Sequence, residues 1–153
     1  MAEFIEPIVT TLLAILEARM PALCLAAEIP APATYGRQLS DVPKNLPAIF
    51  VRPVRTQFDA DSQHTRHQAH QVRIIIAVSS ADPEALATLA MQYVAAVDSA
   101  LWASDPGDWT STLTSGVVTR VWVAEHDYGP LYETARGLGR LPVVDVIVEA
   151  EET

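Results

Sequence analysis

Apolar residues recur every three to four positions between Phe4 and Met20, at Ile5, Ile8, Leu12, Leu13, Ile15 and Leu16, a spacing that predicts an amphipathic helix. Pro7 falls in its first turn, where proline is tolerated, and Pro21 is expected to end it. The residues from Ala22 to Ala27 fit either an irregular turn or a short strand. Pro30, Pro32 and Gly36 then mark a connector that runs to about Pro47.

The period changes from helical to alternating at Ala48-Ile49-Phe50-Val51-Arg52, a strand that Pro53 assigns to a sheet edge or a bulge. From Gln68 to Ser79 the alternation is clearest: Val72, Ile74, Ile76 and Val78 share one face, and Arg73, Ile75 and Ala77 share the other. Between the two strands, Thr56 to His67 is polar and is expected to form a projecting hairpin tip or mobile loop. Asp82-Pro83-Glu84 combines a capping carboxylate, proline at the first helical position and an acid at the positive end of the dipole. A second helix is therefore expected to about Leu101, its stripe of Leu86, Leu89, Ala90, Tyr93, Val94 and Val97 lying on the even-numbered strand face.

The stretch from Trp102 to Ser115 reads as a turn-rich surface loop with two of the three tryptophans. Val117 to Ala124 and Val143 to Val148 read as two further strands, separated by Tyr128-Gly129-Pro130 and Gly137-Leu138-Gly139. The expected fold is α+β: a mainly antiparallel four-stranded sheet with two helices packed on one face, in the order α-β-β-α-β-β. It forms a single domain over residues 1–153, with mobile loops near 30–46, 56–67 and 102–115. Two helices do not easily cover both faces of such a sheet. The face bearing Arg73, Ile75, Asp145 and Ile147 is then either a partner surface or is simply solvated or covered by the long loops.

Composition fits this picture. A chain of 153 residues, half of them apolar, is the size of one domain with a substantial core. Its net charge of −9 opposes retention of nucleic acid on the phosphate backbone and suits a surface past which DNA moves without sticking. Cys24 is the only cysteine, so neither an intramolecular disulfide nor a thiolate zinc cluster is available, which points to a reducing compartment. Glu17, Arg19 and Pro21 interrupt the N-terminal apolar run, which is expected to be too short and too charged for a membrane span or secretory signal.

Candidate chemistry is sparse. His64, His67 and His70 form H-x2-H-x2-H, but residues three apart alternate faces on a strand and drift around a helix, so polar loop histidines are expected rather than a metal site. Gly137-Leu138-Gly139-Arg140 lacks the spacing of a phosphate loop and reads as a turn or bulge, with Arg136 and Arg140 positioned to meet a partner's carboxylates. Neither a nucleophile elbow nor any other catalytic constellation is present, so the expectation is a protein that is not an enzyme and needs no cofactor.

The segments Leu46-Pro47-Ala48-Ile49-Phe50-Val51, Val72-Arg73-Ile74-Ile75-Ile76-Ala77-Val78, Tyr128-Gly129-Pro130 and Gly139-Arg140-Leu141-Pro142-Val143-Val144, in this order of elements, resemble the small tail-terminator or tail-completion proteins of bacteriophages. The resemblance spans most of the chain. It implies a structural protein of the virion tail or neck, assembled in the bacterial cytoplasm. Its implied form is a homo-oligomeric ring, commonly hexameric in that family, which stops growth of the tail tube and joins it to the head connector. Implied partners are further copies of the chain, the tail-tube protein, the sheath where there is one, and the head connector. DNA passes through without specific binding, and no membrane is involved. Candidate contacts are Arg52 and Arg55 near the Pro53 edge, Arg73, Ile75, Asp145 and Ile147 on the open face, Arg120, and the pair Arg136 and Arg140. Two alternatives are a metal-binding module or enzyme using His64, His67 and His70, and an adaptor that binds a peptide by strand addition beside Pro53.

Overall fold

The computed structural model of the protein describes residues 5–37, 46–60, 66–102, 109, 116–129, 131–134 and 137–152. Helix α1 spans Ile5–Ala26 and continues past Pro21 rather than stopping there. Pro21 lies on the exposed side, while Met20 and Cys24 on either side of it are buried, so core packing holds the turn that the proline weakens. The helix ends in a Schellman arrangement: Glu28 N–H donates to Leu25 O at 3.2 Å, Ile29 N–H donates to Cys24 O at 3.0 Å, and Glu28 takes a left-handed φ of 58°. Helix α2, Pro83–Trp102, starts as its sequence signal predicts, with Asp82 Oδ1 accepting from Glu84 N–H at 3.1 Å. Arg19 of α1 donates to Ala100 O at 2.9 Å and so satisfies a carbonyl in the last turn of α2.

The described strands are β1 Thr34–Gly36, β2 Ala48–Ala60, β3 Arg66–Ser80, β4 Gly116–Asp127, β5 Leu131–Thr134, β6 Gly137–Arg140 and β7 Val143–Glu152. They join in one seven-stranded mixed sheet, which corrects the expected four-stranded, mainly antiparallel sheet and its α-β-β-α-β-β order; the α+β class stands. Two physical causes account for the difference. Pro30-Ala31-Pro32 does not prevent the next three residues from pairing, and β1 runs parallel to β2 through Thr34↔Ala48, Tyr35↔Ile49 and Gly36↔Phe50. The expected third and fourth strands are also each split in two. β7 pairs with β3 up to Ile75↔Val143, and β6 takes over from Val78↔Arg140, while β4 and β5 follow alongside. Gly137-Leu138-Gly139-Arg140, expected as a turn or bulge, is therefore strand β6.

Gly129 makes the break in the outer strand. Its φ is +75°, its N–H donates to Asp127 Oδ1 at 2.8 Å, and a Cβ there would stand 2.2 Å from Leu141 O, where the neighbouring strand is interrupted. The β2–β3 hairpin is longer than expected, because residues 56–60 and 66–67 belong to paired strands that run out to Ala60↔Arg66. Residues 61–65, and with them His64, lie outside the described residues.

One face of the sheet carries the main core. Ile49 and Val51 of β2, Val72, Ile74, Ile76 and Val78 of β3, and Val144, Val146 and Val148 of β7 pack against Ile8, Leu12, Leu16 and Met20 of α1 and Leu86, Ala90, Tyr93 and Val97 of α2. Trp109 is buried in the same core, 1 % exposed, so the expected surface loop contributes one of its tryptophans to the interior, whereas Trp102 is 88 % exposed. By length and composition alone both helices are long and apolar enough to cross a membrane, contrary to the reading of the N-terminal run as too short and too charged; in the fold each lays its buried side on the sheet. The opposite face of the sheet carries only a small cluster: Ala48, Phe50, Ile75 and Ala77, with Leu46, Leu141 and Val143 packed against it.

Candidate functional site

The sheet face turned away from the helices collects most of the residues singled out in the sequence. Residues directly opposite one another in neighbouring strands share a face. The registers Arg52↔Arg73, Arg73↔Asp145 and Glu125↔Asp145 therefore lay four charged side chains in one row across β2, β3, β7 and β4. Its centre is a two-point ion pair, with Arg73 Nε donating to Asp145 Oδ1 at 2.9 Å and Arg73 Nη2 to Oδ2 at 3.1 Å. Asp145 is buried and Arg73 is about one-third exposed. The hydrogen bond to Asp145, with Glu125 and Asp127 nearby, raises the Arg73 guanidinium above its ordinary pKa. The ends of the row, Arg52 and Glu125, are exposed.

The next rows outward continue the mixed character. Gln71 is level with Arg55 on one side and Ile147 on the other, and Ile147 is level with Trp122. The Arg120 guanidinium lies 4.3 Å from the Trp122 ring centroid. Ile75 is buried in the small apolar cluster rather than open to contact. Arg140 lies on the row of Val78 and so on the helix-covered face, apart from the other candidates, and Arg136 lies outside the described residues.

Glu125 and Trp122 did not emerge from the sequence because β4 changes phase twice. Register shifts between Val118 and Arg120 and between Val123 and Glu125 put Val118, Val121 and Val123 on the helix side and Arg120, Trp122 and Glu125 on the outer side. A strict two-residue period across 117–124 groups them differently.

Toward the hairpin end of the sheet, its helix-side face also carries polar side chains. Arg66 donates to Glu152 Oε2 through Nε at 2.9 Å and Nη2 at 2.6 Å, and Gln68 Nε2 donates to the same oxygen at 2.9 Å. These contacts, led by the hydrogen bond from Arg66, hold the Glu152 carboxyl below its ordinary range. Arg66 also stacks 4.7 Å from the centroid of Phe58. Beside them His70 is buried, its Nδ1 2.9 Å from Thr56 Oγ1, and burial pushes its pKa down to about 4. His67, at an odd position, lies on the outer side, level with Asp59 and Glu151. Strand alternation thus separates the two described histidines of the H-x2-H-x2-H motif, and His126 instead approaches Asp98 of α2 at 3.5 Å. Among the described residues, no group of three His, Cys, Asp or Glu side chains comes close enough to hold a metal ion.

No protein-family model matches the chain, and no curated protein does. Among solved structures, one similar chain is described as "Virion of native gene transfer agent (GTA) particle", with a TM-score of 0.48 and 14% sequence identity over 92% of this chain and 92% of that one.

Proposed function

We propose that this chain is a structural protein of a phage-like tail or neck, a tail-terminator or tail-completion component that forms a ring at the head-proximal end of the tail tube. The observation that carries the reading is the outer sheet face. It spans four strands, lies opposite the helices, and carries arginines and carboxylates beside an apolar patch. Patterned charges of this kind set orientation and partner choice between proteins. The segments that resemble the phage family supply the central strands β2, β3, β6 and β7 of this same sheet.

The remaining features agree with the role. The end of the sheet where β2, β3, β7 and β4 finish together, at Ala60, Arg66, Glu152 and Gly116, offers a second surface to the tube or the connector. A net charge of −9 weakens the hold on DNA that must pass through the ring. Ring closure uses a head-to-tail interface, in which one surface of a subunit meets a different surface of the next. Turnover of a substrate has no part in this function.

Electron microscopy and light scattering of the purified protein, alone and mixed with a tail-tube protein, test the proposal. Closed rings, or rings seated on tube ends of arrested length, are the expected result. A particle that stays monomeric at high concentration and in the presence of the tube protein overturns it.

A further inference from the structure

The charged row has a polarity. Read from β2 to β4 it runs Arg52, Arg73, Asp145, Glu125: two positive groups followed by two negative ones. Like charges side by side on neighbouring strands oppose each other, and the central Arg73–Asp145 pair offsets this only in the middle. Arg52 is left exposed on one side of the sheet and Glu125 on the other. Both lie on sheet edges. Among the described residues β4 pairs only with β7, and β1 covers β2 only from Ala48 to Phe50, leaving the edge of β2 from Val51 to Ala60 open.

We propose that the chain assembles by joining the β4 edge of one copy, from Gly116 to Glu125, to the free edge of β2 in the next, with Glu125 of one copy level with Arg52 of the other. Three observations carry it. First, strand directions match: β2 is antiparallel to β3, β3 to β7 and β7 to β4, so β4 is antiparallel to the β2 of a neighbour placed in the same orientation. Second, opposite charges meet in the Arg52 and Glu125 row, and no like charges meet at the levels beyond it toward the hairpin end. At successive levels β2 presents Arg52, Arg55, Gln57 and Asp59, running from positive to negative, while β4 presents Glu125, Trp122, Arg120 and Val117, running from negative to positive and then apolar. In this register Arg55 meets the face-forming Trp122, and Gln57 meets Arg120. Third, the bulges that bend the two edges, between Pro53 and Arg55 and between Val123 and Glu125, lie one row apart, so the edges bend at neighbouring levels.

The joint is heterologous, since the two edges differ, and repeats the charge row as plus-plus-minus-minus from copy to copy. Such a contact yields a closed ring or an open filament, according to the rotation per step. The inference rests on the self-assembly proposed above and adds which edges meet and in what register.

Charge reversal and cross-linking test it. Arg52→Glu and Glu125→Arg are each expected to raise the concentration at which half the protein is assembled by roughly tenfold or more, and the double reversal to restore assembly. Urea unfolding of each variant, unchanged from the parent protein, confirms that folding is intact. A chain carrying both Arg52→Cys and Glu125→Cys is expected to oxidise to a covalent ladder of multimers, because directly paired antiparallel residues lie within disulfide reach. The pair Asp59→Cys and Glu125→Cys, about 20 Å apart along the strands, is expected to give none. An oligomer that ignores both reversals and gives no ladder overturns the edge register and leaves the ring standing. A protein monomeric under every condition, tube protein included, overturns the ring and this joint together.

Discussion

Arg73 and Asp145 face each other across β3 and β7 and meet through two parallel hydrogen bonds, one partner about one-third exposed and the other buried. The asymmetry determines the consequences of mutation. Arg73→Ala strands a buried carboxylate and is expected to cost about 2–4 kcal/mol of stability. Asp145→Ala leaves an arginine that water and Glu125 can accommodate, for about 1–2 kcal/mol. The double variant is expected to lose less than the sum of the two, and urea unfolding of all four proteins measures the difference.

His70 makes stability depend on pH. Its folded-state pKa of about 4, lowered by burial, lies below the ordinary histidine value, so the folded protein holds the imidazole neutral where the unfolded chain already binds a proton. The stabilisation is complete above pH 6.5 and is lost as the pH falls toward 4, a change on the order of 2–3 kcal/mol. His70→Gln is expected to flatten the urea-midpoint profile over that window, and an unchanged slope assigns the acid sensitivity to other groups.

Two backbone positions respond in opposite directions. Glu28 holds the left-handed site that ends α1, so Glu28→Gly is expected to raise stability by about 1 kcal/mol. Gly129→Ala both strains a positive φ and drives a methyl group into Leu141 O, for a loss of about 2 kcal/mol or more. Thermal unfolding followed by circular dichroism distinguishes the two.

The tryptophans report separately on core and surface. Trp109→Phe is expected to remove the emission that best resists acrylamide and to lower stability, while Trp102→Phe removes the most quenchable part, leaving the partly exposed Trp122, and changes stability by no more than about 0.5 kcal/mol. Equal quenching of both variants contradicts the buried position of Trp109.

What the sequence determined by itself is what short-range periodicity can carry. The two helices, the Asp82 cap, the alternation of Val72, Ile74, Ile76 and Val78 against Arg73, Ile75 and Ala77, and the separation of His67 from His70 all depend on neighbours within a few residues. Only the tertiary structure decided the rest. Pro21 remains helical because the residues around it are buried, and β1 exists because β2 offers it an edge. The late strands split at Gly129 and Leu141 because their partners change there, and Trp109 turns inward to fill the core. Arg52, Arg73, Asp145 and Glu125 lie up to 93 positions apart and became one row only through three successive registers and a bulge. Pairing energy belongs to both strands at once, and a single segment read alone contains only half of it.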